Sequence, residues 1–370
     1  MDVNVKVKSN LQIRAFYLFF IITSIQTGTG IMGGPKYIFV AAGRDAWLSI
    51  LIAFVYLFLV IWAMYIILKQ YTNADILGIQ IDIFGVWIGK FLGSIFIIHL
   101  AMSLFTVLIT YIEVIQIFIF PTFPAYTLAF ILLFLIIYSV LGGIRVIVGV
   151  VFIFFIAIQF LMVLLIMPAL RIDIMHLLPA FQTPIMDLLK GARETTYSLL
   201  GFEIFLLLYP FIQNKEKIKL PVFLGIAWTI FTLLMVTVIS IGYYSPKQLE
   251  TLDWATLGLF KIVSFSFIER FDYIVVTSWL MVVLPNMILL MWGITYSVKR
   301  LYKISQKMTL YITSGIMLAA CFFFQDTHSI IALTSNFAKV AFWLVFVYPF
   351  GLLPLVLIKK KWRKNKGESM

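Results

Sequence analysis

Gly28, Thr29, Gly30, Ile31, Met32, Gly33, Gly34 and Pro35 interrupt the first long apolar run of this chain, and Ser198, Leu199, Leu200, Gly201, Phe202 and Glu203 interrupt the sixth. A helix that unwinds inside a bilayer exposes backbone N–H and C=O groups, each costly unless a cavity lined by protein or water replaces the lost partner. Two such interruptions in matching places point to a ligand site at mid-membrane. At the first, glycines let backbone approach a small guest, and the resuming half-helix aims its positive N-terminal end at it. A carboxylate suits that end. At the second, Thr195, Thr196, Tyr197 and Ser198 precede the break, and carbonyls freed near Leu199 and Leu200 would accept from an ammonium. A zwitterion would then be held at both ends. Glycine clusters also serve plain helix packing, so it is the pairing of the breaks that favours binding. Glu203 is a charge inside a span, read here as a cap on the second half-helix and a gating group.

Two further runs offer walls for such a cavity. His99 and Ser103 stand one helical turn apart on one face of the third run. Glu113, further along, is expected to pair with a polar group such as Arg193 or a tyrosine hydroxyl and is assigned a gating or proton-linked role. In the eighth run Pro285 frees a carbonyl and Asn286 brings both donor and acceptor. The expected ligand-binding set is therefore Gly28, Thr29, Gly30, His99, Ser103, Leu200, Gly201 and Asn286. No convergent acid, base and nucleophile accompany it, so an enzyme is not expected. His99, His176 and His328 lack metal-ligand spacing, and neither a metal nor an organic cofactor is expected. Cys321 is the single cysteine, which excludes an intramolecular disulfide.

The elements that position these residues follow from composition. With 63% hydrophobic and 12% charged residues over 370 positions and a mean hydropathy of +1.06, the chain reads as an all-α polytopic membrane protein. Its apolar runs are continuous, unlike the alternating segments of an outer-membrane barrel. Ten transmembrane helices are predicted: Phe16 to Ala42, Trp47 to Leu68, Phe91 to Phe120, Tyr126 to Leu141, Val146 to Pro168, Gly191 to Ile212, Pro221 to Tyr243, Tyr273 to Val298, Thr309 to Phe324 and Ala338 to Ile358. The polar loop from Arg171 to Lys190 divides them into two sets of five. An odd number per set reverses the second set relative to the first, a 5+5 inverted repeat with helices 1 and 6 broken. We delimit one transmembrane domain over 1–358, pseudo-repeats of about 11–170 and 190–358, and a basic tail over 359–370. Two amphipathic segments, Ala74 to Val86 and Leu252 to Ile268, read as surface helices able to act as lids.

The net charge of +12 is a topology signal. Most of the 28 lysines and arginines fall on one side if the N-terminus is inside, among them Lys6, Lys8, Arg14, Lys299, Arg300 and the tail. Both termini are thus expected in the cytoplasm, with the basic surplus against anionic lipid and no nucleic-acid partner. Lys6, Lys8 and Arg14 before an apolar run also suggest a secretory signal, but no small-residue cleavage site follows, and a retained first span is expected.

The run Gly28, Thr29, Gly30, Ile31 with Pro35, the stretch Leu200, Gly201, Phe202, Glu203 leading to Tyr209 and Pro210, and the segment Phe267, Ile268, Glu269, Arg270, Phe271 together resemble the spore germination permeases. These are the B subunits of endospore germinant receptors, a branch of the amino acid, polyamine and organocation transporter superfamily. The likeness covers nearly the whole chain and departs from the pattern at Gly33 and Gly34. It implies a leucine-transporter-like fold in which helices 1 and 6, walled by 3 and 8, hold a small germinant, often an amino acid. Gly28, Gly30, Leu200 and Gly201 match the ligand-holding breaks. It also implies membrane-embedded A and lipoprotein C partner subunits and the inner membrane of the dormant spore. A nutrient sensor that signals germination is the expected function; the alternative is an amino acid transporter coupled to an ion or proton. Span eight has no Ser or Thr at the depth of Pro285 and Asn286, and span five has no lysine, which weakens coupled transport.

Overall fold

The computed structural model describes residues 2–263, 271–324 and 326–365, and no strand occurs among them. In chain order the helices are α1 (Tyr17–Gln26), α2 (Gly30–Ala42), α3 (Ala46–Lys69), α4 (Ile76–Phe118), α5 (Ala125–Leu141), α6 (Gly143–Ala157), α7 (Gln159–Leu164), α8 (Ile166–Ala169), α9 (Ile185–Glu194) and α10 (Thr196–Leu199). They continue with α11 (Phe205–Leu208), α12 (Lys219–Tyr243), α13 (Pro246–Thr251), α14 (Ala255–Phe260), α15 (Phe271–Ser278), α16 (Leu280–Tyr302), α17 (Gln306–Ala320), α18 (Thr327–Ala341) and α19 (Tyr348–Asn365). Among the described residues, six helical stretches are long and apolar enough to cross a membrane: Gly30–Lys69, Ile76–Phe118, Gly143–Ala169, Lys215–Tyr243, Phe271–Tyr302 and Thr327–Asn365. The first of them turns at Gly43–Asp45. Of the shorter apolar helices, Tyr17–Gln26 precedes them, and Ala125–Leu141 and Thr196–Phe211 lie between them. The chain is a polytopic helical membrane protein.

The first long run does not form one helix. It ends at Gln26, passes through an extended Thr27, and resumes at Gly30. Pro35 lies inside α2 and has no N–H for the carbonyl four residues earlier. The Thr256 hydroxyl of α14 takes that carbonyl, Ile31 O, at 2.7 Å. This bond ties the short, largely buried helix α14 to the second half of the broken run. On the other half, the Thr23 hydroxyl donates to Gly225 O of α12 at 3.2 Å, and the absent side chain of Gly225 lets the two helices close up. The central α16 packs most extensively on α4, bringing Asn286 and Ser103 toward one space.

Several sequence expectations shift. The segment predicted to lie at the surface before the third span is the first part of α4, which bends at Gly85. The last span begins near Thr327 rather than Ala338, because Thr327 to Ser335 is polar where it faces a cavity and so escapes a hydropathy reading. Residues assigned to a basic tail continue α19 to Asn365. Arg363 pairs there with Asp82 at 2.8 Å. Of the segment Leu252 to Ile268, α14 forms the helix; residues 264–270, including Phe267 to Arg270, lie outside the described residues.

At the face of the N-terminus, Asp75 caps α4 through Gly78 N–H (2.7 Å) and accepts from Tyr296 Oη (2.6 Å) and Arg300 Nε (3.2 Å). Arg300 also reaches Val3 O at 3.1 Å, which straps the N-terminal segment across that end. At the opposite face Asp45 accepts from the backbone N–H groups of Phe181 (2.8 Å), Gln182 (2.9 Å) and Thr183 (3.0 Å). Burial works against its charge, but these donors outweigh burial and hold the carboxyl below the usual carboxylate range. A depressed folded value means the stabilisation is present above the unfolded pKa and is lost as pH falls through the folded one. Asp45→Asn is therefore expected to cost about 2 kcal/mol at neutral pH. The melting-temperature gap from wild type should narrow as pH drops below about 4; a gap independent of pH would refute the charge-assisted anchor.

Candidate functional site

The two interruptions meet. Ser198 Oγ donates to Gly30 O at 2.8 Å, and a Cβ on Gly30 would stand 2.7 Å from the Ser198 Cα. Only glycine lets the two backbones come so close. At the second interruption α10 ends at Leu199, Leu200 is extended, and Gly201 takes φ +108°, a left-handed conformation. Glu203 then folds back, its carboxylate accepting from the Gly201 N–H at 2.8 Å and from His99 Nε2 at 2.7 Å. Both side chains are fully enclosed.

Beside this junction lies a small cavity of about 30 Å³. Gly28, Thr29, Gly30, Ser103, Leu200, Gly201 and Asn286 all line it. His99 does not: it shares α4 with Ser103 but spends its imidazole on Glu203 and stacks on Phe337 at 5.5 Å. Its contribution to the cavity is indirect, through the cap on the broken helix.

The carbonyls released by the breaks are also used differently from the expectation. Gln26 Nε2 donates to Leu199 O at 2.9 Å, and Asn286 Nδ2 donates to Ile25 O. With each NH₂ group committed to a carbonyl, the amide oxygens have fixed roles. Gln26 Oε1, Asn286 Oδ1 and Ser103 Oγ are buried, without hydrogen-bond partners, and belong to residues that line the cavity. Acceptors for a guest ammonium are thus side-chain amide oxygens rather than the Leu199 carbonyl. Gln26 was missed in the sequence because it precedes the glycines and reads as part of the helix; its sequence signal is a lone amide in an apolar run.

A second, larger cavity of about 140 Å³ opens from the same junction. Thr29, Gly30 and Tyr197 line both, and Thr29 Oγ1 and Tyr197 Oη are 3.0 Å apart, forming the partition. The outer cavity is walled by Gly33, Gly34 and Tyr37 of α2, by Thr110 and Glu113 of α4, by Asp253 and Trp254, and by α18. Gly33 has a packing reason to lack a side chain, since a Cβ would come within 2.7 Å of Asp253 O. Glu113 is not paired with Arg193 or with a tyrosine: neither carboxylate oxygen has a hydrogen-bond partner. Lys36 and Asp253 form an ion pair of 2.5 Å near the mouth. Among the described residues no group of three His, Cys, Asp or Glu is placed to hold a metal ion.

The model of a family described as spore germination protein matches residues 12–330. Spore germination protein GerQB of Bacillus cereus is 33% identical over 339 residues, covering 91% of this chain and 93% of its own. Spore germination protein B2 of Bacillus subtilis (strain 168) is 25% identical over 367 residues, covering 96% and 98%. Spore germination protein YndE of the same strain is 24% identical over 359 residues, covering 94% and 96%.

Proposed function

The chain belongs to the spore germination permease family, and on that footing we propose that it is a receptor subunit that holds a small nutrient, an amino acid, between its two broken helices. The observation that carries this reading is the trio of buried, unpartnered polar atoms, Gln26 Oε1, Ser103 Oγ and Asn286 Oδ1, gathered at one cavity. A buried acceptor without a partner costs about 1–3 kcal/mol, and a guest with N–H donors returns it. Ten spans in two inverted sets of five, both termini in the cytoplasm, the spore inner membrane and A and C partner subunits complete the proposal. The Lys6, Lys8, Lys299, Lys303 and Lys307 cluster around one depression supports the orientation.

A space of about 30 Å³ admits a water-sized group. Seating an amino acid requires the Thr29–Tyr197 contact to part and merge the two cavities. Binding is then tied to a conformational difference, and a ligand that prefers the parted state shifts the population a partner subunit reads. Purified full-length protein should be screened by thermal shift against amino acids, sugars and nucleosides. A true ligand at 100 times its Kd stabilises by about 2.7 kcal/mol. Gly28→Leu, whose side chain would fill the cavity beside Asn286, should abolish the shift; a response that survives it would overturn the site. Asn286→Thr should change which ligands act.

Transport is the second reading. It is favoured by two cavities that meet at the Thr29–Tyr197 contact, the arrangement a stepwise route needs. Concentrative uptake into proteoliposomes that depends on an ion or proton gradient would establish it over sensing.

A further inference from the structure

We propose that the outer cavity is a separate binding station for a small organic ammonium ion, with Glu113 as its anionic partner. This rests on the reading of the inner cavity as a nutrient site only in so far as the two stations lie on one route; its evidence is independent.

Glu113 is 4% exposed, and both of its oxygens are without partners. The Thr327 hydroxyl lies beside it outside hydrogen-bond geometry. The cations on the same wall are not its partners: Arg193 sits over the Phe342 ring at 5.8 Å, Lys36 is held by Asp253, and Lys339 forms no ion pair with it among the described residues. Three other orphaned polar atoms belong to the same cavity, Thr110 Oγ1, Thr334 Oγ1 and Trp254 Nε1. Four polar side chains left unsatisfied around one space of about 140 Å³ is a concentration that packing alone does not produce.

The chemistry selects the guest. A buried carboxyl without a donor either keeps its proton or takes a cation, and a guest that brings an ammonium offsets the desolvation cost of the charged form, which no neutral guest can do. The volume and the Tyr37 and Trp254 rings suit an organic ammonium, which aromatic faces also attract. An inorganic cation would want several oxygens converging on one point, and of the three carboxylates that line this space Asp253 is held by Lys36 and Glu194 lies by Arg193 and Lys339, which leaves Glu113 as the one without a cation. A nutrient with an amino group would meet Glu113 first and reach Gln26 and Asn286 only after the Thr29–Tyr197 partition opens.

The test uses purified full-length protein and ligand-observed saturation-transfer NMR, with ethanolammonium chloride as probe, ethylene glycol as the uncharged counterpart and sodium chloride as the inorganic competitor. Ethanolammonium should bind wild type, ethylene glycol should not, and sodium should fail to displace the probe beyond ionic-strength controls. Glu113→Gln keeps shape and removes charge, so it should fold and weaken the probe at least tenfold, while Glu113→Asp should retain part of the affinity. Absence of ethanolammonium binding, equal binding by ethylene glycol, displacement by sodium or an unchanged affinity in Glu113→Gln would each overturn the proposal. Gly28→Leu separates the two readings: it should abolish the amino acid thermal shift and leave the probe bound. If probe binding fails while the amino acid shift persists, the outer station alone falls; if the shift fails while probe binding persists, the inner site alone falls.

Discussion

Glu203→Ala is expected to cost about 3–5 kcal/mol of stability and to abolish any ligand response. The residue is 1% exposed, and its carboxylate serves two donors that nothing else reaches, the Gly201 N–H and His99 Nε2. Truncation leaves both donors unmet, and His99 Nδ1 already has no partner. The broken helix would then have no reason to hold its shape beside the cavity. Replacing the pair by Glu203→Leu with His99→Leu should recover much of the loss, because apolar substitution of a buried pair is far cheaper than breaking it. Thermal melts of the single and double variants form the necessary cycle. A Glu203→Ala protein that melts with wild type would remove the cap from this account.

Gly201→Ala should rank next, at about 2–4 kcal/mol, from two sources. At φ +108° any Cβ is strained, and here it would also stand 2.8 Å from both Ile25 O and Ile25 Cγ1. Gly28→Ala provides the contrast, because its added methyl meets only the Asn286 amide nitrogen at 3.2 Å. That neighbour is the end of a side chain and can give. Measured side by side in detergent, the first variant should lose several degrees or more of melting temperature and the second little. Equal losses would mean that the local backbone at Gly201 is not the constraint described.

What local chemistry alone determined is the membrane class, the positions at which two helices leave helical geometry, and the residues that flank them. Hydropathy over twenty residues and the conformational freedom of glycine act within a few residues of the chain, so a linear reading recovers them. Thr29, Gly30, Ser103, Gly201 and Asn286 were legible for that reason, each being a small or polar residue in an apolar setting, and Leu200 by its place beside Gly201. Partners were not. His99 meets Glu203 across 104 residues, Gln26 meets Leu199 across 173, and Asn286 meets Ile25 across 261. No spacing rule joins such distant groups, and only the packed helices decided that His99 supports a cap instead of facing the cavity. The same holds for Glu113. Its sequence suggested a paired charge, whereas the fold placed the available cations on other partners and left the carboxylate facing an open space, because the direction of a side chain is set by which helices surround it.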